Sequence, residues 1–391
     1  MKTSYFVGGK VVLQDRVVEN AMVEVKDGKI CGIYENGCVL PSNVEIIDLN
    51  GNYLLPGFID IHVHGGGGAD FMDGSVEAMQ TVVNTHLAHG TTTIFPTTMS
   101  SPFSDLITAF ETYRRFVKSG ASKATLGGLH LEGPFLSPKM CGAQRLDLIV
   151  SPTQEHIDCL IENKGVIARV TCAPEEDNVL DMARQLLANG IQISMGHTNA
   201  TYEQAEEAVE KGFTSITHMY SATSGFHKVN QKVHIGVTQA GYGIEELYAE
   251  LIGDGCHVPK ELLRLVTKIK GFDKVCLVTD AMRAAGTDVT ESYLGSICPE
   301  NRVIIDDGVA KLPDKSFFAG SIGTMDRALK FAVERASIPV WQASKLVSLS
   351  PATLMGLQDK KGSIAQGKDA DFVVMDKEFR VQSVYVYGER I

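Results

Sequence analysis

The sequence predicts an α/β protein: a (β/α)8 barrel of the TIM type with a small β-sandwich built from both chain ends. Three observations carry this. Between residues 55 and 355 a short apolar run, a polar loop and an amphipathic helix recur eight times, the rhythm of parallel strands with helical crossovers. Polar side chains able to do chemistry gather at the C-terminal ends of those runs, where the loops of a barrel converge on one mouth. Residues 1–54 and 356–391 share a different texture, alternating β-branched residues broken by turns, so the two ends are expected to meet in one small domain. An open doubly wound sheet is the structural alternative. It ranks second because no glycine-rich fingerprint opens a helix after the first strand.

The 391 residues, 44% hydrophobic and 21% charged, suffice for one large domain and a small one. A formal net charge of −11 argues against a general nucleic-acid binder and against a membrane-surface protein held by basic patches. It leaves room for a small anionic substrate in a locally positive pocket. The N-terminal MKTSYFVGGKVVL has no long apolar segment, and nothing approaches the ~20 apolar residues of a membrane span, so a cytoplasmic protein is expected. Eight cysteines (31, 38, 141, 159, 172, 256, 276 and 298) form no CxxC pair and read as reduced, mostly buried thiols.

Taken in order, residues 11–37 alternate β-branched residues, with Asp27-Gly28 as a hairpin signal. The first barrel run leads into PGFIDIHVHGGGGAD, residues 56–70. There Ile59, Ile61 and Val63 alternate with Asp60, His62 and His64, so on a strand both histidines project to one side. Two neutral imidazoles on one face are half of a metal site; the bland alternative is a solvated surface strand. A helix is expected over 76–88. Strands at 91–96, 124–131, 166–172 and 191–195 alternate with helices at 105–118, within 153–163, at 179–188 and at 202–211. Ser151 and Thr153 both suit the N-cap of the third helix. A sixth run, 215–219, opens a loop over 221–243 with no clean helical pattern. Run 247–252 precedes helix 260–270, and run 274–279 is followed by an insertion at 292–312, with a hairpin at Asp307-Gly308, before helix 325–336. The tail returns to β texture at 370–376 and 384–388.

Five of the eleven histidines (62, 64, 197, 218 and 257) stand at strand ends. Any one alone reads as a core or surface histidine, but the set reads as a metal site at the barrel mouth. Imidazoles and carboxylates such as Glu132 hold a divalent ion that polarises a carbonyl and acidifies water. Asp280, ending the last strand, is placed to accept a proton and pass it to a leaving amine. Asp60 shares the face of His62 and can orient it by hydrogen bonding. His130 is either a supporting partner of the site or a packing residue.

PGFIDIHVHG, these histidines, VTDAM with Asp280, and KGSIAQGKDADFVVMD near the C-terminus together resemble the amidohydrolase superfamily. Within it, GLHLEGPFLSPKMCGAQ (128–144), GHTNATYEQA (196–205), DGCHVP (254–259) and FAGSIGTMDRAL (318–329) are similar to the N-acetylglucosamine-6-phosphate deacetylase family, over nearly the whole chain. The resemblance implies a metal-dependent hydrolase barrel that releases acetate from N-acetylglucosamine 6-phosphate in amino-sugar catabolism. Glu132, His197 and His218 would hold the principal metal, and His62 and His64 match members that bind a second. Asp280 would be the general base and acid, and His257 would touch the sugar. Ala143, Gln144, Ser221 and Ala222 would line the substrate, as would Phe318, Ala319 and Gly320. One or two ions of Zn, Fe, Ni or Mn per chain are implied, with a small amino-sugar substrate, a homodimer, and no nucleic-acid or membrane partner.

Three positions depart from the family pattern. Met219-Tyr220-Ser221-Ala222-Thr223 follows His218 where the family has Leu-Tyr-Asn-Ala-Met. Gln144 replaces a histidine that polarises the acetyl carbonyl, and its amide can still donate. The arginine that clasps the 6-phosphate falls on Val229, so His227 and Lys228, with Lys232 nearby and a partner subunit's help, are expected to replace it. Two alternatives stay open: another substrate (an epimeric or unphosphorylated N-acetyl sugar, or a cyclic amide), and a non-catalytic scaffold. Against a cyclic amide, the fourth strand offers Arg169 and no lysine to carbamylate.

Overall fold

In the computed structural model, which describes residues 3–35 and 39–391, eight parallel strands follow one another in chain order around a barrel. They are Phe58–Val63, Thr91–Thr98, Leu129–Glu132, Ile167–Cys172, Gln192–Met195, Ser215–Ile216, Tyr248–Ile252 and Val275–Val278. The ring closes where Val63 bridges Ala281 in parallel and the Asp280 N–H donates to the His62 carbonyl at 2.9 Å. That closure sets the first and last strand ends, both rich in polar residues, side by side at the mouth.

Capping chemistry starts the helices where the sequence signals it. Ser75 Oγ accepts the Ala78 N–H at 3.1 Å to open Val76–Ala88. Thr153, and not Ser151, caps Gln154–Glu162, with His156 returning the bond to the Thr153 N–H. The predicted third strand is split: Thr125–Leu126 and Leu129–Glu132 are separated by Gly127-Gly128. A Cβ on Gly127 would come within 2.2 Å of the Phe95 ring, so the backbone itself packs against that ring.

The sixth unit holds a hairpin, His227–Val229 with Lys232–His234, followed by the short helix Val237–Gly243. Asn230 and Gln231 form its turn with φ of 48° and 68°, the mirror-image turn geometry that suits two-residue hairpin loops. The insertion is a three-stranded antiparallel flap, Glu291–Tyr293, Arg302–Asp306 and Val309–Lys311. The last predicted helix begins as Met325–Lys330 and widens into a π turn over Phe331–Arg335. Two further helices, Val340–Val347 and Leu349–Leu354, follow it; Ala352 and Leu354 pack with Ile59, Ile61, Phe95 and Val278 in one apolar cluster.

The chain ends build the expected sandwich. One sheet is Lys29–Tyr34, Met22–Lys26, Thr3–Val7 and Glu45–Asp48; the other joins C-terminal strands Phe372–Met375 and Val381–Val386 to Tyr53–Pro56 and Lys10–Val12. Phe6 is the hinge of its core, with its ring 5.0 Å from Phe372 and 4.9 Å from Tyr385. Asp27 and Gly28 turn the hairpin between Met22–Lys26 and Lys29–Tyr34 with φ of 50° and 78°. In the C-terminal motif Lys361 is buried between Asp369 and Asp371, at 3.0 and 2.6 Å, so that stretch is structural. The seven described cysteines are free, but only Cys172 and Cys276 are buried, fewer than expected; Cys38 lies outside the described residues. No described helix is long and apolar enough to cross a membrane.

Candidate active site

The first strand delivers His62 and His64 to one face, buried, with their Nε2 atoms 3.1 Å apart. Glu132 ends the third strand between them and two later histidines. Its Oε1 lies 2.8 Å from His218 Nε2, 3.1 Å from His197 Nε2 and 3.5 Å from His62 Nε2. Its Oε2 lies 3.3 Å from His64 Nε2. Asp280 Oδ1 completes the group, 3.2 Å from His64 Nε2 and 3.4 Å from His62 Nε2. Strands one, three, five, six and eight thus bring six residues into one buried cluster.

The backbone bends to aim them. His197, His218 and Asp280 take φ of 46°, 32° and 47°, the left-handed region that residues with a Cβ seldom occupy and that concentrates at functional sites. Asp280 is pinned through its N–H to the His62 carbonyl and through its own carbonyl, which accepts the Ser321 N–H at 2.7 Å.

The donor set fits a divalent cation. His197 Nδ1 lies 2.9 Å from the Met140 carbonyl and His218 Nδ1 lies 3.1 Å from the Ser221 carbonyl. A carbonyl only accepts, so each Nδ1 carries the hydrogen, and in the neutral ring Nε2 presents a lone pair to Glu132. Lone pair then faces carboxylate oxygen at 2.8 and 3.1 Å, which requires a proton or a cation between them. Nitrogen and oxygen donors from His62, Glu132 and His218, and from His62, His64 and Asp280, each lie within 4.8 Å of one another, two groups sharing His62. Such mixed imidazole–carboxylate sets suit Zn, Fe, Ni or Mn.

The electrostatics agree. Burial lowers an imidazole, yet hydrogen bonds to Asp280 and Glu132 carry His64 up to about 10, and Glu132 likewise raises His218. Burial also disfavours carboxylates, yet the surrounding imidazoles hold Glu132 well below its usual range and Asp280 below its own. Both carboxylates are therefore kept ionised.

Two supporting residues behave differently from expectation or resolve it. Asp60 does not orient the His62 ring: its Oδ1 accepts the backbone N–H groups of His62 and Thr279, both at 3.3 Å, and its Oδ2 accepts Thr279 Oγ1 at 2.5 Å. It holds the first and eighth strands together, because the Thr279 hydroxyl reaches it across the closure; burial pushes it up to about 7. His130 packs its ring at 4.7 Å and 83° against His62, between Thr171 Oγ1 at 2.7 Å and Thr97 Oγ1 at 3.3 Å. Burial drives it well below its ordinary value, so it is a neutral packing partner of the site.

The cluster floors a cavity of about 710 Å³. Gln144 stands in its wall, donating to Glu132 Oε2 at 2.9 Å while its Oε1 accepts the Ser100 N–H, which leaves its second amide hydrogen without a partner among the described residues. His257 also faces it, with Nδ1 2.7 Å from Asp254 Oδ2 and its ring 4.7 Å from Phe318. Asp254 was visible in the DGCH stretch, but its role as the orienter of His257 was not. Ala143, Ser221, Ala222 and Gly320 line the cavity; Ala319 is buried behind it, donating its N–H to Ala310 in the flap. His227 and Lys228 lie outside the wall, exposed on the hairpin. Lys139, Lys311 and Lys315 line it instead, unanticipated from sequence.

A (β/α)8 barrel with imidazoles and carboxylates at its strand ends defines the class: a metal-dependent hydrolase. The chain belongs to the amidohydrolase family, whose model matches residues 53–391. It is 35% identical over 371 residues to the N-acetylglucosamine-6-phosphate deacetylase of Lysinibacillus sphaericus, covering 95% of this chain and 93% of that one. The Bacillus subtilis enzyme of the same name is 34% identical over 376 residues, covering 95% and 92%. Among solved structures, N-acetylglucosamine-6-phosphate deacetylase from Pasteurella multocida superposes with a TM-score of 0.92 at 32% identity, covering 100% of this chain and 99% of that one.

Proposed function

We propose that the chain hydrolyses the acetamide of N-acetylglucosamine 6-phosphate, giving glucosamine 6-phosphate and acetate. The observation that carries this is Asp280, an ionised carboxylate at the floor of a substrate-sized cavity beside the Glu132–histidine cluster. The names of the relatives support the substrate. Glu132, His197 and His218 would hold the principal ion, and His62 and His64 with Asp280 a second; Zn, Fe, Ni or Mn all suit these donors. A bound ion supplies Lewis acidity to the acetyl carbonyl and to water.

The protein's own residues do the rest. Asp280 accepts a proton from water as its oxygen adds to the acetyl carbon. The same proton passes to the sugar nitrogen as the C–N bond breaks, leaving the free amine and acetic acid, which ionises to acetate. The second Gln144 N–H donates to the carbonyl oxygen as negative charge develops there. His257, aimed by Asp254, contacts the sugar. Arg169 offers no route to a carbamylated ligand, since it is buried in an ion pair with Glu250 and also donates to Ser215 and Thr217.

The same reading divides the chain into a catalytic barrel, 55–355, and a small domain from 1–54 and 356–391. It also makes the protein a cytoplasmic homodimer. The hairpin that carries Lys228 exposes Val229 and Val233, flanked by Phe226 and Ile235, an apolar surface suited to a second copy. Acetate release from a panel of N-acetyl sugars, with and without 6-phosphate, tests the substrate. The greatest kcat/KM is expected for N-acetylglucosamine 6-phosphate; release from none of the panel would overturn the proposal.

A further inference from the structure

The cavity wall carries charges of both signs. Among the described residues Glu132 and Asp280 are the only carboxylates in its wall, and both stand at the floor among the imidazoles. The rest of the wall carries Lys139, Lys311 and Lys315 and no further carboxylate. Three lysines around one cavity run against the formal net charge of −11.

Two of them are held in place. Lys311 ends the last strand of the flap, bridges Phe318 in antiparallel register, and Phe318 in turn packs on His257. Asp306 Oδ2 accepts both Lys311 Nζ at 3.0 Å and Lys315 Nζ at 2.8 Å, and Asp307 accepts Lys311 at 3.1 Å. Neither aspartate is in the wall, and beyond these bonds each ammonium keeps at least one N–H for a further acceptor. Lys139 approaches from another element, the turn Pro138–Met140, which is tied to the floor because the Met140 carbonyl accepts the His197 Nδ1–H at 2.9 Å. The hairpin offers no such placement within one chain: His227, Lys228 and Val229 are exposed and outside the wall.

We infer that Lys139, Lys311 and Lys315 of the same chain form the subsite for the substrate's phosphate monoester, so that the flap, and not the hairpin, sets the preference for a phosphorylated sugar. This rests on the deacetylase reading above. A phosphate monoester carries close to two negative charges and, once partly desolvated, needs cationic or N–H partners. Lysines meet that need as point charges on flexible stems, where arginine would use a rigid fork.

The test compares Lys139→Met, Lys311→Met, Lys315→Met and Lys228→Ala, each checked for native circular dichroism and metal content. The first readout is the ratio of kcat/KM for N-acetylglucosamine 6-phosphate over N-acetylglucosamine. The second, which needs no turnover, is the calorimetric affinity for glucosamine 6-phosphate. The ratio and the affinity should each fall about 10-fold or more in the three cavity-lysine variants, as expected for loss of a charge-assisted contact. Loss of the preference in Lys228→Ala with the cavity variants unchanged would overturn the assignment, as would a wild type with equal kcat/KM for the two sugars. Absence of acetate release with the lysine-dependent affinity intact would sink the deacetylase reading and leave the anion subsite standing. Equal affinity across all variants would sink the subsite whatever the activity.

Discussion

Replacing Asp280 with asparagine removes the proton acceptor, and with it the carboxylate of the His62–His64 group, while leaving the backbone of the site in place. The residue sits at φ of 47°, a left-handed conformation that asparagine adopts as readily as aspartate, whereas alanine there would add backbone strain. Its backbone bonds to His62 and Ser321 involve no side-chain atom and survive the change. An asparagine oxygen can still face His64 and His62, now 3.2 and 3.4 Å from the carboxylate, but without the charge that drives proton uptake. A positioned general base contributes ~10²–10⁴-fold, so kcat should fall by that factor, about 3–5 kcal/mol of barrier. KM should stay within a few-fold, because the sugar contacts lie elsewhere in the cavity. Steady-state acetate release on purified protein reads both constants, and metal analysis of the same sample should retain at least one ion, since Glu132, His197 and His218 are untouched. Near-native kcat would show that another group moves the proton.

Two further changes probe the surroundings of the site and the small domain. Asp254→Asn removes the carboxylate 2.7 Å from His257 Nδ1, and loss of that charge-assisted bond should raise KM about 10-fold with a smaller effect on kcat; an unchanged KM would separate His257 from sugar binding. Lys361→Met leaves Asp371 buried without its cation, while Asp369 keeps Lys29 at 2.6 Å, so the urea midpoint should drop by the equivalent of about 3 kcal/mol while acetate release at low denaturant persists; an unshifted midpoint would show that the buried Lys361–Asp371 pair carries no net stability.

What could be read before the structure was whatever the local pattern determines. Alternation in Phe58–Val63, carried one residue beyond the strand, places His62 and His64 together because period two is a property of any extended segment. The helices Val76–Ala88, Val179–Ala188 and Lys260–Lys270 match their expected bounds because caps and stops are encoded within a few residues. Asp60 shows the limit of that reasoning. Period two put it on the face of His62, but Thr279, 219 residues away, takes its carboxylate, and only barrel closure brings the two together. Gly127 interrupts a strand for an equally remote reason, the Phe95 ring lying where its Cβ would be. Lys311 and Lys315 carry no periodic signal at all; they join the cavity wall from the end of the flap and the turn after it, a placement set by the tertiary fold. Leu349–Leu354 is not legible in the sequence because six residues, LSPATL, make too few turns to display a period.

Metal stoichiometry tests the central claim most directly. The protein purified without chelator, and its His218→Asn variant, should be compared by elemental analysis and acetate release. Asparagine suits the φ of 32° at that position, so the variant removes the imbedded imidazole without forcing the backbone. At least one equivalent of a transition metal per chain is predicted in the native protein, loss of the principal ion and of activity in the variant, and loss of activity on chelation that returns with added metal. Full acetate release from protein holding less than about a tenth of an equivalent would contradict the assignment of the Glu132–histidine cluster as a metal centre.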